Sequence, residues 1–356
     1  MMLERYGHGG DLITAAETYG YAKEQFLDFS SNMNPWGSPS CVENILIETW
    51  KELVHYPDPA VRKLRQIIAE YYHVPVESIL VGNGAAELID LTIRAIDPKV
   101  TALARPCFSE YEQAISKINR NTYDIYLKEE NHFELQESDI QYAVSHCDLF
   151  FLGHPNNPTG RLISQSVLQL LLNTNHPIVL DEAFIDFVPE EKQVSLIKQA
   201  YQSENLFVIR SMTKFFAIPG IRLGFMIAHP KRIEKIKSLQ VQWSVNALAQ
   251  SIGISVLQDH PYIEKTKSWL IQEKLWFTNQ LSGLGIKVYP SDTNYLLIQL
   301  PPLNNVKQLQ EKLAQRGVLV RDASLFKGLD STFCRIAIRL REQNERFISE
   351  IKQVLL

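Results

Sequence analysis

From about residue 60 to residue 228, the sequence alternates amphipathic helical segments with short apolar runs, and this alternation constrains the fold more than any other feature. Apolar residues recur at helical spacing over 61–71, while the compact runs have the length of buried strands. The runs lie at 78–81, 100–104, 147–152, 177–180, 205–209 and 223–228. Repeated strand-helix-strand units of this kind predict an α/β fold with a mostly parallel sheet.

The pattern changes after residue 245. Long amphipathic helical segments are followed by three apolar runs at 294–300, 318–321 and 334–338, which predicts a second, smaller α+β domain. A length of 356 residues suits one large and one small domain. The first residues are rich in glycine and polar groups and belong to neither predicted sheet. We therefore predict an N-terminal arm over 1–35 that contributes to the small domain and the active site, a large domain over 36–245 and a small domain over 246–356.

Charge and composition indicate which kinds of partner the protein can bind. The net charge of −4, without any block of like charges, gives no basic surface for nucleic acid. The sequence has no run of eighteen apolar residues that could span a bilayer, and the start MMLERYGHGGD has no apolar signal segment. Its four cysteines are far apart and form no CxxC pair, so we expect reduced thiols and no metal site. We predict a cytoplasmic protein whose partner is a small molecule.

One lysine stands out through its neighbours. Lys214, in the segment SMTKFF, follows an apolar run, and Arg222 comes eight residues later. Asp181 ends another apolar run thirty-three residues before Lys214, and the segment HPNNPTG at 154–160 also follows such a run. Alone, each element is weak evidence, because most lysines are surface residues and most Asn-Pro pairs are turns. Their joint spacing indicates a site at the ends of neighbouring strands.

Together these segments resemble the fold-type-I pyridoxal-phosphate enzymes, the family of aspartate and histidinol-phosphate aminotransferases, over nearly the whole chain. The resemblance implies pyridoxal 5'-phosphate as the cofactor. Lys214 would hold it covalently and later move protons, while Asp181 would pair with its ring nitrogen. Asn157 would donate to the ring oxygen, and Phe108, in RPCFSEY, would stack on the ring face.

The resemblance also implies a site for the cofactor phosphate. The segment GNGAAE at 82–87 lies between an apolar run and a helical pattern. The backbone amides of Gly84, Ala85 and Ala86 would then hold a dianion at a helix N-terminus. For this segment alone, a plain strand-to-helix turn is an equally good interpretation.

Three more residues would complete the phosphate site. Ser211 and Arg222 would supply a hydroxyl and a guanidinium group, and the latter suits bidentate phosphate contact. Tyr56, in HYPDP, matches the family tyrosine that reaches the phosphate of the neighbouring subunit, which implies a homodimer. The alternative for Tyr56 is a packing role beside the two prolines.

Further segments resemble the threonine-phosphate decarboxylases of cobalamin biosynthesis more than any aminotransferase. They are HGG with LDFSSNMNP, DEAFIDF, and WSVNALA with RIAIR and QNER downstream. Phe184 stands where aminotransferases usually have a tyrosine that bonds the ring oxygen, although a packing role explains Phe184 equally well. The resemblance implies decarboxylation of L-threonine O-3-phosphate to (R)-1-amino-2-propanol O-2-phosphate and carbon dioxide.

Such a substrate carries a carboxylate and a phosphate, so the pocket should hold at least two cationic side chains. Arg321 and Arg335, at late apolar runs, are the candidates, and a surface ion pair is the alternative role for either. His8 in the arm could close over the substrate phosphate, and Asn32 is a further substrate-binding candidate.

Other functions must be weighed against decarboxylation. Histidinol-phosphate aminotransferase shares the fold, a phosphorylated substrate and nearly every cofactor residue, and the cofactor residues alone do not reveal which bond breaks. A cofactor-binding transcription regulator would need an attached DNA-binding domain, for which the roughly thirty residues before the first motif are too few. A structural protein would have no reason to keep Lys214, Asp181 and Arg222 together.

Overall fold

The computed structural model describes residues 9–355. The strands, named β1 to β13 in chain order, are Leu27–Asp28, Ile79–Gly82, Val100–Arg105, Asn121–Tyr126, Leu149–Gly153, Ile178–Asp181, Leu206–Ser211, Gly224–Ala228, Lys287–Val288, Tyr295–Gln299, Val318–Leu319, Arg321–Asp322 and Phe333–Ala337. The helices, named α1 to α15, are Leu12–Tyr19, Ser40–Thr49, Arg62–Tyr72, Ala85–Ile96, Ser109–Lys117, Glu137–Ala143, Gln165–Leu172, Glu191–Val194, Ile197–Ala200, Met212–Phe215, Pro230–Lys237, Ala247–Leu257, His260–Gly283, Val306–Ala314 and Arg341–Leu355.

Seven strands form one large sheet in the order β2-β8-β7-β6-β5-β3-β4. The pairings from β4 through β3, β5 and β6 to β7 are parallel, whereas β8 runs antiparallel to β7 and β2. Every residue of β5, β6, β7 and β8 is buried, which explains why these strands read as continuous apolar runs. The predicted α/β fold with a mostly parallel sheet is confirmed.

The six predicted runs correspond to β2, β3, β5, β6, β7 and β8, with ends shifted by a few residues. Strand β4 was missed by the sequence analysis. It lies at the edge of the sheet, and only Ile125 of its six residues is buried, so its sequence NTYDIY lacks an apolar run.

Two smaller sheets lie beyond the large one. Strands β12, β13, β10 and β9 form an antiparallel sheet, and β1 pairs in parallel with β11. The N-terminal segment thus contributes a strand to a third sheet, and Ala337 also donates a backbone hydrogen bond to Phe29 at 2.9 Å. The run predicted at 318–321 is divided at Val320 into β11 and β12. The domain boundaries after residues 35 and 245 stay predictions.

Several helices begin at a polar side chain that caps them. Asp11, Ser164, Asn246 and Asp259 each accept a hydrogen bond from the backbone N–H three residues later. Such caps satisfy donors that the first helical turn leaves unpaired, so these residues fix where the helices start.

Within residues 9–355, no helix is long and apolar enough to cross a membrane. The same residues contain no group of three or more histidine, cysteine or acidic side chains placed to hold a metal ion. The four cysteines are free.

Candidate active site

A cavity of about 610 Å³ lies where the carboxyl ends of β6 and β7 meet the segment before α2 and the small antiparallel sheet. Parallel strands end at the same edge of a sheet, so side chains that are distant in sequence converge there. The predicted residues that line the cavity are Asn32, Ala85, Ala86, Phe108, Asn157, Asp181, Ser211, Lys214, Arg222, Arg321 and Arg335.

Lys214 lies on α10, the single helical turn that follows β7. Ser211 ends the strand and its hydroxyl accepts a hydrogen bond from the Thr213 N–H at 3.4 Å. Burial, together with the cationic groups of Arg335 and Arg222, lowers the pKa of Lys214 from its ordinary value of 10.5 to about 8. The amine therefore exchanges its proton close to neutral pH, as a general acid and base must.

Asn34 holds the lysine-bearing turn in place, a role that the sequence analysis missed. Its backbone N–H donates to the Lys214 carbonyl at 3.0 Å. Its side-chain amide donates to the Phe215 carbonyl at 2.8 Å and to the Thr266 hydroxyl at 2.9 Å. The bonds to the turn join residues 180 and 181 positions apart, and no local sequence pattern reports a contact of that range.

Asp181 lies at the end of β6 with both carboxylate oxygens bonded. Oδ2 accepts a hydrogen bond from the Tyr111 hydroxyl at 2.7 Å, and Oδ1 accepts one from the Ala183 N–H at 3.0 Å. Burial raises the pKa of Asp181 to about 6, and the two hydrogen bonds act in the opposite direction. The group is therefore mainly a carboxylate at pH 7.

The role of Tyr111 was not predicted from the sequence, although Tyr111 stands one helical turn after Phe108.

The turn before α4 forms a shallow cup at the helix N-terminus. Gly84 has φ +81°, and a Cβ there would lie 2.5 Å from Nη2 of Arg222. A Cβ on Gly224 would lie 2.7 Å from the Ala85 nitrogen. The glycines thus let the Arg222 guanidinium group and strand β8 come close to the start of α4, an arrangement that an anion site there would need.

Two arginines that line the cavity lie side by side in the small antiparallel sheet. Arg321 and Arg335 are direct cross-strand partners in β12 and β13, and both side chains are buried. Arg335 donates to Asn157 Oδ1 at 2.6 Å and to the Ser30 carbonyl at 2.7 Å. Since Asn157 uses its oxygen to accept from Arg335, its NH₂ group remains the donor for other partners.

Asn32 is a buried amide on the cavity wall. Its side chain is 3% exposed, and within the described residues neither its nitrogen nor its oxygen has a hydrogen-bond partner. Buried polar atoms are almost always satisfied, so this amide is available to bind a polar ligand in the cavity.

Tyr56 lies away from the residues that line the cavity. Tyr56 is 81% exposed and packs against Trp243 at a tilt, with ring centroids 5.0 Å apart, so its proposed contact with a neighbouring subunit stays a prediction. His8 lies outside the described residues.

The chain matches known proteins over almost its whole length. The family model "Aminotransferase class I and II" matches residues 24–351. Threonine-phosphate decarboxylase of Salmonella typhimurium is 36% identical, with 100% of this chain and 98% of that protein aligned.

Two solved structures are also similar, and each match covers 92% of this chain and 98% of the other. Histidinol-phosphate aminotransferase from Clostridium acetobutylicum has a TM-score of 0.86 at 32% identity. L-Threonine-O-3-phosphate decarboxylase from Porphyromonas gingivalis has a TM-score of 0.82 at 27% identity. This chain therefore belongs to the class I and II aminotransferase family.

Proposed function

We propose that this protein is a decarboxylase of cobalamin biosynthesis that converts L-threonine O-3-phosphate to (R)-1-amino-2-propanol O-2-phosphate and carbon dioxide, with pyridoxal 5'-phosphate as cofactor. One observation carries the proposal: the cross-strand pair Arg321 and Arg335 lines the same cavity as Lys214. Two adjacent guanidinium groups suit a small substrate with two anions. The full-length similarity to threonine-phosphate decarboxylase supports the same choice.

The cavity residues fit pyridoxal phosphate. Lys214 offers an amine for covalent attachment, and Asp181 offers a buried carboxylate for the ring nitrogen. Phe108 lies at the cavity wall for the ring face, and the cup at Gly84 with Arg222 suits the phosphate. When bound, the cofactor supplies an electron sink that stabilises negative charge at the Cα atom of an amino acid.

Lys214 is the group placed to move protons. With a pKa of about 8, its Nζ can release a proton and take it back near neutral pH. In a decarboxylation, Cα loses its carboxylate as carbon dioxide and must gain a proton. We assign delivery of that proton to Lys214 Nζ.

Arg321 and Arg335 would decide which bond breaks. Holding both the carboxylate and the phosphate removes rotation of the bound substrate, and the bond held perpendicular to the ring plane is the one that is weakened. We infer that the arginine pair, with the amide of Asn32, fixes the carboxylate in that direction. Unphosphorylated threonine would lack one anchor and should be a very poor substrate.

Phe184 favours this function over histidinol-phosphate aminotransferase. The Phe184 ring packs edge-on against Tyr295 at 4.9 Å, and the Tyr295 hydroxyl donates to the Asn156 carbonyl at 2.8 Å. Neither ring therefore supplies the hydroxyl that aminotransferases usually place at position 184, which leaves Asn157 as the donor for the ring oxygen.

The proposal includes a homodimer in the cytoplasm that acts on a small molecule and binds neither nucleic acid nor membrane. The four free cysteines suit a reducing compartment. Tyr56 would complete the phosphate site of the partner subunit.

The test is a product assay with the cofactor-loaded protein. Incubation with L-threonine O-3-phosphate should release one carbon dioxide per aminopropanol phosphate, with little keto acid. Arg321→Ala should lose roughly 2 to 5 kcal/mol of transition-state binding while its cofactor absorbance is unchanged. Arg316→Ala, which removes an arginine outside the cavity, is the control. Efficient conversion of histidinol phosphate and 2-oxoglutarate, with no reaction of threonine phosphate, would establish the aminotransferase instead.

A further inference from the structure

Tyr111 contacts two parts of the site and has not yet been assigned a role. Its ring stacks on Phe151, with centroids 4.3 Å and planes 19° apart, and meets Phe108 edge-on at 5.7 Å. Its hydroxyl donates to Asp181 Oδ2 at 2.7 Å. Tyr111 therefore joins the start of α5, where Phe108 is the N-cap, to the strand that carries Asp181.

The Tyr111 hydroxyl is the donor in its hydrogen bond to Asp181. Burial, and then the charge of Asp181, raise the pKa of Tyr111 well above its ordinary value, so the proton stays on the tyrosine oxygen. Asp181 needs such a donor, because burial and the nearby carboxylate of Glu182 both oppose its ionisation. The Ala183 N–H and the charge of Lys214 also lower the pKa of Asp181, as Tyr111 does.

We propose that Tyr111 is a positioning residue whose hydroxyl keeps the Asp181 carboxylate ionised and fixed in orientation, and thereby keeps the ring nitrogen of the cofactor protonated. The inference rests on the proposed binding of pyridoxal phosphate. A ring nitrogen beside an ionised carboxylate holds its proton, whereas a neutral Asp181 would compete for it. Tyr111, which also lines the cavity, thus acts on the electron sink through Asp181.

The experiment uses cofactor labelled with ¹⁵N at the ring nitrogen. Protein freed of cofactor is reloaded with labelled pyridoxal phosphate, and the ¹⁵N chemical shift reports protonation directly. Wild type should show the protonated position, and Tyr111→Phe, which keeps the ring on Phe151, should move toward the unprotonated position. The Kd of the cofactor-free variant for pyridoxal phosphate should rise about tenfold, as expected for one lost bond to a charged group.

Tyr289→Phe is the matched control, because Tyr289 is also buried and its hydroxyl donates to a carboxylate, Glu129, at 2.6 Å outside the cavity. It should leave the ¹⁵N shift and the Kd unchanged. If Tyr111→Phe fails to fold, 3-fluorotyrosine at position 111 keeps the ring and strengthens the donor, so cofactor binding should tighten.

A wild-type ¹⁵N shift in folded Tyr111→Phe, or cofactor binding that does not tighten with 3-fluorotyrosine, would overturn the role of Tyr111. Failure of wild type itself to bind pyridoxal phosphate would instead refute the proposed function.

Discussion

At the scale of single residues, burial and neighbouring charges set the chemistry of the site. The same cavity lowers the pKa of Lys214 to about 8 and raises the pKa of Asp181 to about 6. Both shifts have burial as their largest cause, which disfavours the charged form of either group. They bring an amine and a carboxylate, normally far apart in pKa, to within about two units of each other.

The lowered pKa of Lys214 predicts a labelling profile in the cofactor-free protein. Neutral amine is the reactive form, so modification of Lys214 by an amine reagent should rise with pH and reach half of its maximum near pH 8. Mass spectrometry of the peptide that contains Lys214 measures this.

Arg335→Ala removes a positive charge that disfavours the ammonium form, so the profile should move to higher pH, whereas Arg335→Lys should move it less. A half-maximum near pH 10 in the unmodified protein would contradict this account of the site.

The sequence predicted residues whose chemistry is evident from type and spacing. Lys214, Asp181 and Arg222 line one cavity, as their joint spacing suggested. Tyr111 and Asn34 were missed because each acts through a contact made only in three dimensions, across 70 and 181 residues respectively. Nothing in the sequence distinguishes a tyrosine that donates to a carboxylate from one that only packs.

At the scale of elements, the start of α4 depends on glycines that let neighbouring groups come close. Gly84 has a positive φ, and its missing side chain leaves room for Arg222. The same turn presents the first amides of α4, so the shape of the turn and the anion site are one feature.

Gly84→Ala should therefore weaken cofactor binding. The added methyl group would displace the Arg222 guanidinium and strain the backbone, at a cost of one charge-assisted contact, so the Kd for pyridoxal phosphate should rise roughly 10- to 100-fold. Gly220→Ala is the control, because its Cβ would meet nothing within 4 Å and its φ is not in the left-handed region. Titration of the cofactor-free proteins gives the comparison, and equal affinities would argue against an anion site at this turn.

Strand prediction succeeded where a strand is buried on both faces and failed elsewhere. The interior strands β5 to β8 contain continuous apolar runs, and only the last residues of β6 and β7 are polar or charged. Edge strand β4 and the two-residue strands β1 and β9 are too polar or too short to produce a periodic signal, and their pairing is decided by distant partners.

At the scale of the whole molecule, several large apolar side chains are exposed in two segments of the chain. The two segments meet where Tyr56 packs against Trp243, and we treat their exposed residues as one apolar patch. They are Ile47, Trp50, Leu53, Val54, Tyr56, Val241 and Trp243. Large exposed apolar patches mark association surfaces, and the patch includes the tyrosine assigned to a partner subunit.

We therefore expect a dimer that Val54→Glu weakens. Val54 is 82% exposed, so the charge costs little in a monomer but would be buried in a dimer. Analytical ultracentrifugation should show dissociation at micromolar concentration together with faster cofactor loss, because Tyr56 would leave the neighbouring site. Ile271→Glu, at an exposed apolar residue of α13 far from both segments in the chain, should remain dimeric. A stable, fully active monomer of the unmodified protein would contradict the expectation.

The hydrogen bond between Ser30 and Arg335 limits how early during translation the cavity can be completed. It joins residues 305 positions apart. At a synthesis rate of roughly 5 to 20 residues per second, about 15 to 60 s pass between the making of one partner and of the other. Until the ribosome reaches the last strands, the N-terminal wall of the cavity has no guanidinium group to bond. We therefore expect a nascent chain to be inactive even if its large sheet folds early. Activity should appear only near the end of translation.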